Sequence, residues 1–274
     1  MKLSLSVRIA ESPKRKDVAA VPIDVLAPRA AALGIDGLSM RASVVSVDSP
    51  PERVAGVKRL LDRHGLAVSL VTGDVALAAN TADATTALRN ITPYLDLAEA
   101  LGSRLIRVMA HDVEDVGRMR RAADMAAERG LAIAHQTHWG TLCETVDLAL
   151  DVVAAVGREN FGVTFDPANI MACGGDYGPD AVRRLAPHLF NVFFQNVRLD
   201  PGSPIAFPSR RMGVVGVRYV PLDDAGGVDV LPIVETLRAV GYDGWFTVHQ
   251  PLREGQSVDD AMAEAAGFFR PLIV

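Results

Sequence analysis

The chain has 274 residues, of which 49% are hydrophobic and 22% charged, and its formal net charge is −5. This length suits one α/β barrel domain, because barrels of about 250 residues routinely form a single domain. The negative charge and the lack of a dense Lys/Arg segment argue against nucleic acid as a partner, since phosphate backbones are bound by clustered basic side chains.

Short apolar segments alternate with longer segments of helical period along the whole chain. This alternation is typical of βαβ units that build a parallel sheet. Eight such units can be counted. In chain order, the predicted strands are residues 3–9, 37–40, 67–71, 105–109, 131–136, 162–165, 191–197 and 245–249.

Glycines mark several joints at which a helix would end and the chain would turn into the next strand. Gly34 and Gly102 are examples, each a few residues before a predicted strand, and Gly readily adopts the left-handed conformation of a helix C-cap. No Pro/Gly/Ser-rich linker divides the chain, so we predict a single (β/α)8 TIM barrel domain over residues 1–274. The long irregular segment 200–227 is predicted to fold over the barrel mouth as a functional loop.

Cysteine usage and the N-terminal sequence bear on the compartment. Only Cys143 and Cys173 occur, which is too few for a disulfide framework. The first residues have neither the long apolar segment nor the small-residue cleavage site of a secretory signal. No apolar run approaches the ~18 residues that a membrane span would need. We therefore expect a cytoplasmic protein without a membrane partner.

Five segments of the chain carry a family resemblance. They are LRNITPYLDLAEALGSRLIRV (88–108), QTHWGT (136–141), GVTFDPAN (162–169), FFQNVRL (193–199) and GYDGWFTVH (241–249). In this order they resemble the sugar phosphate isomerase and epimerase superfamily, whose members share the xylose isomerase-like TIM barrel. The resemblance runs over nearly the whole chain. It implies a sugar isomerase or epimerase with a small carbohydrate substrate, and it is compatible with a homo-oligomer.

The resemblance also implies a metal site. In that family one divalent metal is held at the ends of strands five to eight by four side chains, typically Glu, Asp, His and Glu. The matching positions here are Gln136, Asp166, Gln195 and His249, so only Asp166 keeps the usual residue. One carboxylate should bind hard ions weakly, although amide oxygens and imidazole can still ligate Mn, Co, Zn or Mg. A metal-bound and a metal-free site both stay open.

The same four residues also belong together on geometric grounds. Each is polar and ends a predicted apolar strand, and the strand ends of a TIM barrel look into the mouth where its chemistry takes place. Leaving a buried polar group without a partner costs about 1 to 3 kcal/mol. We therefore expect Gln136, Asp166, Gln195 and His249 to converge on one small volume.

The loss of two carboxylates changes the expected proton chemistry. The family's isomerases are understood to move a proton between adjacent carbons with two Glu residues, whereas Gln136 cannot take a proton. His249 and His138 are the candidate catalytic residues, because an imidazole titrates near neutral pH. Isomerase or epimerase chemistry is the primary hypothesis. A dehydratase or retro-aldol lyase and a non-catalytic carbohydrate-binding barrel are the alternatives.

Further residues are candidates for substrate binding. His138 resembles the family's substrate-binding His, and Trp139 could stack on the apolar face of a sugar ring. Asn169 could present its amide to the substrate or cap a helix. Arg198 could pair with a carboxylate or phosphate of the substrate or with a surface acid. His111, after the fourth predicted strand, could line the pocket.

Overall fold

Eight parallel strands close into a barrel within residues 1–12 and 14–273, the part of the chain that the computed structural model describes. The first seven are β1 (Lys2–Ser6), β2 (Gly37–Met40), β3 (Ala67–Val71), β4 (Leu105–Val108), β5 (Ala132–Gln136), β6 (Phe161–Phe165) and β7 (Leu189–Phe194). Strands β8 (Val197–Leu199), β9 (Ala206–Ser209) and β10 (Gly213–Tyr219) form a separate sheet, and β11 (Trp245–Val248) closes the barrel between β7 and β1. The predicted (β/α)8 barrel is confirmed.

Helices connect the strands and bury one face each. They are α1 (Ile23–Ala32), α2 (Pro51–Arg63), α3 (Val75–Ala79), α4 (Thr86–Arg89), α5 (Thr92–Leu101), α6 (Val116–Ala127), α7 (Val146–Val156), α8 (Pro167–Ala172), α9 (Pro179–Leu185), α10 (Val230–Ala239) and α11 (Val258–Ile273), with 3-10 turns at Val7–Ala10, Ala82–Thr85, Val113–Asp115 and Ala186–His188. In α2, for example, the buried residues Val54, Val57 and Leu61 recur at helical spacing on one face. Within the described ranges, no helix combines the length and apolarity needed to cross a bilayer.

Strand alternation places a polar layer directly beyond an apolar one. Leu105, Ala134 and Phe193 belong to a small apolar cluster separate from the main core. Side chains two residues apart on a strand point to the same face, so this face continues into Arg107, Gln136 and the position of Gln195. The apolar cluster therefore forms a floor beneath these polar side chains.

The predicted strand bounds hold for β2 and β3 and fail for β1 and β7. The first strand was expected to reach residue 9, but it ends at Ser6, whose hydroxyl accepts a hydrogen bond from the Arg8 amide and starts a 3-10 turn. The seventh was expected to reach residue 197, but the chain leaves the barrel after Phe194 because Asn196 bonds to the backbone of the following loop at Pro221 and Asp224. Gln195 therefore lies one residue past β7, and His249 likewise lies one residue past β11, which ends at Val248.

The segment after β7 is more ordered than predicted. Strands β8, β10 and β9 pair antiparallel in that order, so much of the segment expected to be irregular is a three-stranded sheet. We call residues 197–219 the lid. The Glu144 carboxylate fastens it by accepting hydrogen bonds from Ser209 Oγ at 3.1 Å and from the Arg210 amide at 2.7 Å. The lid is thus anchored to the loop that follows β5.

Candidate active site at the barrel mouth

A cavity of about 160 Å³ lies where the barrel strands end. Its walls combine residues after β5, β6, β7 and β11 with residues of the loop after β1, the end of α3 and the lid. The lining side chains used below are Arg8, Lys16, Asn80, Gln136, His138, Trp139, Asn169, Gln195, Phe207, Tyr219 and His249. A larger cavity of about 600 Å³ opens at the other end, among the first residues of β3, β4, β5, β7 and β11. TIM barrels carry out their chemistry at the C-terminal end, so the smaller cavity is the candidate site.

Asp166 is the hub of the polar layer. It follows β6 directly and caps the N-terminus of α8. Its Oδ2 accepts hydrogen bonds from the side-chain amides of Gln136 at 2.8 Å, Asn169 at 2.8 Å and Gln195 at 3.0 Å. Burial raises the pKa of Asp166 to about 7, against the opposing effects of these hydrogen bonds and of the Arg8 charge. Three of the four predicted strand-end residues, Gln136, Asp166 and Gln195, are thus in direct contact. The residue that caps α8 is Asp166 and not Asn169.

The amides that hold Asp166 leave acceptor atoms unused. Gln136 Oε1 and Asn169 Oδ1 are buried and have no hydrogen-bond partner within the described ranges, and the same is true of His249 Nδ1. All three side chains line the cavity. Unpaired buried polar atoms cost about 1 to 3 kcal/mol each, so a ligand or water with hydrogen-bond donors is favoured at this wall.

Arg8 lies among these residues on the 3-10 turn after β1. Its Nη1 donates to Gln195 Oε1 at 3.2 Å and to the His249 carbonyl at 3.1 Å, and its Nη2 donates to the Tyr219 hydroxyl at 3.2 Å. Lys16 lines the same cavity. Burial and then the charge of Arg8 lower the pKa of Lys16. Two cationic side chains therefore face the cavity.

His138 is held by a chain of hydrogen bonds. Its Nδ1 lies 2.9 Å from the Trp139 carbonyl and must donate there, so its Nε2 is the acceptor of the Asn80 amide at 2.7 Å. Asn80 Oδ1 accepts in turn from Arg107, which is fully buried on β4 and also bonds to the Leu77 carbonyl at 2.9 Å. Burial lowers the pKa of Arg107 to about 9. Both ring nitrogens of His138 are thus already engaged.

His249 has a different environment. Its ring stacks on Phe193 with the centroids 4.1 Å apart and the planes nearly parallel. Burial, followed by the charges of Arg8 and Arg41, holds the pKa of His249 well below its usual range. The imidazole is therefore neutral at pH 7, and its unpartnered nitrogen can accept a proton or a hydrogen bond.

This donor set does not fit a divalent metal. Asp166 is its only carboxylate, and the three neighbouring amides turn their N–H groups, not their oxygens, towards that carboxylate. Among the residues that the structure describes, no three His, Cys, Asp or Glu side chains are grouped to hold an ion. Hard divalent ions prefer several oxygen ligands. Gln136, Asp166, Gln195 and His249, the residues considered as ligands of Mn, Co, Zn or Mg, thus offer a metal a single carboxylate that already accepts three N–H groups.

Trp139 and the lid close the cavity from above. The Trp139 ring stacks on Phe207 of β9 with centroids 5.2 Å apart and planes 13° apart. Tyr219, the last residue of β10, reaches the same cavity. The rings of Trp139 and Phe207 provide the kind of surface on which the apolar side of a sugar ring packs.

Two of the predicted binding residues lie elsewhere. Arg198 pairs with Asp224, because both lie where the chain leaves and returns to the lid, and its guanidinium is not among the cavity walls. His111 bonds to the carbonyls of Gly140 at 2.9 Å and Thr81 at 3.3 Å, so it ties two loops together beside the cavity. Arg198 thus forms the surface ion pair that was the alternative to substrate binding, and His111 lies beside the cavity and not among its lining residues.

Besides Ala78 and Ala79, five polar or aromatic lining residues were missed from the sequence: Arg8, Lys16, Asn80, Phe207 and Tyr219. Arg8 carried the same signal as the others, because it is a charged residue at the end of an apolar strand segment. The remaining four lie on loops and on the lid, where strand periodicity gives no information about which side chain turns inward.

Comparison with known proteins agrees with the architecture. A family model described as xylose isomerase-like TIM barrel matches residues 27–272. The Rhizopine catabolism protein MocC of Rhizobium meliloti is 30% identical over 259 residues, which cover 80% of this chain and 76% of that protein.

Two solved structures share the fold. The probable 3-DHS dehydratase AsbF of petrobactin synthesis from Bacillus anthracis has a TM-score of 0.72 at 19% identity, covering 97% of this chain and 98% of that one. A D-psicose 3-epimerase in the presence of D-fructose has a TM-score of 0.72 at 16% identity, covering 100% and 99%. The resemblance noted in the sequence is therefore confirmed, and this chain belongs to the xylose isomerase-like TIM barrel family.

Proposed function

We propose that the barrel mouth binds a small sugar or sugar derivative with a carbonyl group and transfers a proton at the carbon next to that carbonyl. Isomerase or epimerase chemistry is the primary form of this proposal. The cavity of about 160 Å³ is smaller than the roughly 300 to 1,000 Å³ of pockets for drug-sized ligands. Its size therefore favours a substrate of about monosaccharide size.

The proposal depends on the unpaired acceptors in the cavity wall. Two are Gln136 Oε1 and Asn169 Oδ1, which are buried without a partner in the described part of the chain. His249 Nδ1 also lacks a partner, and it is an acceptor in the tautomer that carries its proton on Nε2. Sugar hydroxyl groups are donors, and several of them on adjacent carbons would satisfy several acceptors at once. A polyhydroxylated ligand could donate hydrogen bonds to these acceptors and pack its apolar face against Trp139 and Phe207.

The proton-transfer role falls to His249 more readily than to His138. His249 is neutral and has a nitrogen without a partner, whereas both nitrogens of His138 are bonded. As the His249 imidazole takes the proton, the electrons of the C–H bond move towards the carbonyl and leave an enolate oxygen. His138 then serves to position the substrate. Return of the proton from His249 to the former carbonyl carbon, while the hydroxyl proton of the first carbon moves to the enolate oxygen, gives an isomer. Protonation on the opposite face, which gives an epimer, needs a second proton carrier such as water.

Water elimination is the second candidate, and the single unpartnered imidazole favours it. Two-face epimerisation uses two proton carriers, whereas one base can remove the proton and hand it to a departing hydroxyl group, so that a C–O bond breaks and water leaves. The compared structures include both a dehydratase and an epimerase. Both reactions begin with the same enolate.

Proton exchange in deuterated water tests the proposal. The protein is incubated with ketoses, sugar acids and keto-cyclitols, and NMR follows deuterium at the carbon beside the carbonyl. An isomeric product indicates an isomerase or epimerase, and an unsaturated product lacking water indicates a dehydratase. His249→Gln should strongly slow exchange, while the control His64→Gln, at the C-cap of α2, should not. Binding of these compounds without any exchange would contradict catalysis and indicate a carbohydrate-binding barrel.

A further inference from the structure

We propose that the guanidinium of Arg8 is the fixed cation of this site, at the place where the resemblance put a divalent metal, and that the site binds anionic oxygen without a metal. This assignment rests on the proposed function only for its catalytic consequence. Its structural basis is the position of Arg8, the orientation of the amides and the charge of the cavity walls.

Arg8 lies inside the cluster that replaces the metal ligands. Its Nη1 is 3.2 Å from Gln195 Oε1, and Gln195 donates its own amide to Asp166 at 3.0 Å. The same Nη1 is 3.1 Å from the His249 carbonyl. The guanidinium thus contacts two of the four positions matched to metal ligands and is one side chain away from a third.

The orientation of the Gln195 amide follows from its two neighbours. Its N–H group faces the Asp166 carboxylate and its oxygen faces the Arg8 guanidinium. Reversing the amide would set oxygen against carboxylate and N–H against guanidinium, so the hydrogen-bond network determines the orientation. A metal ligand at this position would instead need a free oxygen, and that oxygen is already occupied by Arg8.

The charge of the cavity walls favours an anion over a metal cation. Within the described residues, the charged side chains that line the cavity are Arg8 and Lys16. Lys16 Nζ lies 3.7 Å from Glu11 Oε2, and the Asp166 carboxylate behind the wall is already covered by three amide donors. Like charges repel strongly where water is scarce, so a divalent ion would be disfavoured here. An anionic oxygen of a ligand would be attracted.

Arg8 has donors to spare for such an oxygen. A guanidinium carries five N–H groups, and three of them are used by Gln195, the His249 carbonyl and Tyr219. The other two have no partner within the ranges that the structure describes. Hydrogen bonds from a guanidinium to an anionic oxygen are among the stronger ones in proteins.

The chemical consequence follows from the enolate. When His249 removes a proton beside the carbonyl, negative charge develops on the carbonyl oxygen, and a cation fixed in advance lowers the energy of that state. Arg8 can supply this charge from a guanidinium that Gln195, the His249 carbonyl and Tyr219 hold in place. In this first step the proton passes to His249 and the electrons of the C–H bond pass to the carbonyl oxygen.

Metal analysis is the first test. Protein purified without chelator is measured by inductively coupled plasma mass spectrometry, and chelator-treated protein is then titrated with Mn²⁺ by calorimetry and thermal melting. We expect far less than one divalent ion per chain and no change of melting temperature with Mn²⁺ or chelator. One bound ion per chain that disappears in Asp166→Asn would overturn the proposal.

Anion binding is the second test, with D-glycerate as the probe and glycerol as its uncharged counterpart, in the presence of chelator. Wild-type protein should bind glycerate in preference to glycerol, and Arg8→Gln should weaken glycerate binding by about 10- to 100-fold. The matched control is Arg218→Gln, which removes a charge from the exposed face of the lid, where the Arg218 side chain is 64% exposed. Equal loss in both variants, or no glycerate binding by the wild type, would overturn the proposal.

These tests separate this proposal from the proposed function, because neither measurement involves turnover. If the protein binds glycerate through Arg8 without metal but exchanges no substrate proton, the proposed catalytic function is contradicted and the proposed role of Arg8 is supported. If proton exchange requires added metal, the proposed catalytic function is supported and the proposed role of Arg8 is contradicted.

Discussion

Asn80 offers a sharp test of how the site is held together, because its backbone and its side chain can be perturbed separately. It ends α3 with φ 53°, the one positive φ outside glycine in the part of the chain that the structure describes. Its side chain links Arg107 to His138. Asn80→Gly removes that link and suits the backbone, whereas Asn80→Ala removes the same link and disfavours the left-handed conformation.

The magnitudes follow from burial. Arg107 is 1% exposed and would keep the Leu77 carbonyl as its remaining partner, so Asn80→Gly should lower the free energy of unfolding by about 1.5 to 3 kcal/mol, the range for a hydrogen bond to a charged group. Asn80→Ala should lower it by about 1 to 2 kcal/mol more, the cost of a left-handed residue with a Cβ.

Urea unfolding followed by circular dichroism gives both free energies, and NMR of the imidazole nitrogens shows whether His138 loses its acceptor bond in the two variants. Ligand affinity should fall in both alike, since both lack the same side chain. An alanine variant as stable as the glycine variant would refute the backbone part of the reasoning, and an unchanged His138 signal would refute the link.

Three further predictions concern His249, His135 and Glu144. His249→Gln should reduce proton exchange by about 10²- to 10⁴-fold and leave glycerate affinity within a few fold, as measured by NMR and calorimetry; a matching loss of affinity would contradict a proton-transfer role. His135 Nε2 accepts from the Ala110 amide at 2.9 Å and burial lowers its pKa from 6.5 to about 4, so its contribution is complete above pH 6.5 and is lost as the pH falls towards 4. Between pH 7 and pH 5, the free energy of unfolding should therefore fall by about 2 kcal/mol more in the wild type than in His135→Gln. If urea titrations give both proteins the same pH dependence, the premise is wrong. Glu144→Gln should speed hydrogen exchange of the lid amides at Arg210 and Arg211, which bond to its carboxylate, and unchanged exchange by mass spectrometry would count against that anchor.

The architecture could be predicted because apolar strand segments and segments of helical period alternate regularly along the sequence. Buried parallel strands read as apolar runs, and the bounds of β2 and β3 were correct to the residue. The errors arose where local hydrogen bonds compete with the sheet. The Ser6 hydroxyl turns the chain into a 3-10 helix after β1, and Asn196 draws it into the lid after β7.

The candidate site could be predicted only in part, for a related reason. Gln136, Asp166, Gln195 and His249 were grouped because the ends of parallel strands meet at one end of a barrel. Their hydrogen-bond roles could not be read from the sequence, since an amide offers either a donor or an acceptor. Asn80 and Phe207 were missed because the side that a loop residue faces is set by tertiary packing.

The contact between Trp139 and Phe207 has a consequence for the rate at which the protein can work. The two rings stack at the cavity wall. If a molecule bound beneath them leaves by displacement of the β9–β10 hairpin, we expect its dwell time to depend on how often that stacking breaks. Enzymes with such covers are often limited by opening and not by the bond-making step. In a Trp245→Phe variant, which leaves Trp139 as the sole tryptophan, fluorescence that stays constant on ligand release would contradict this gating.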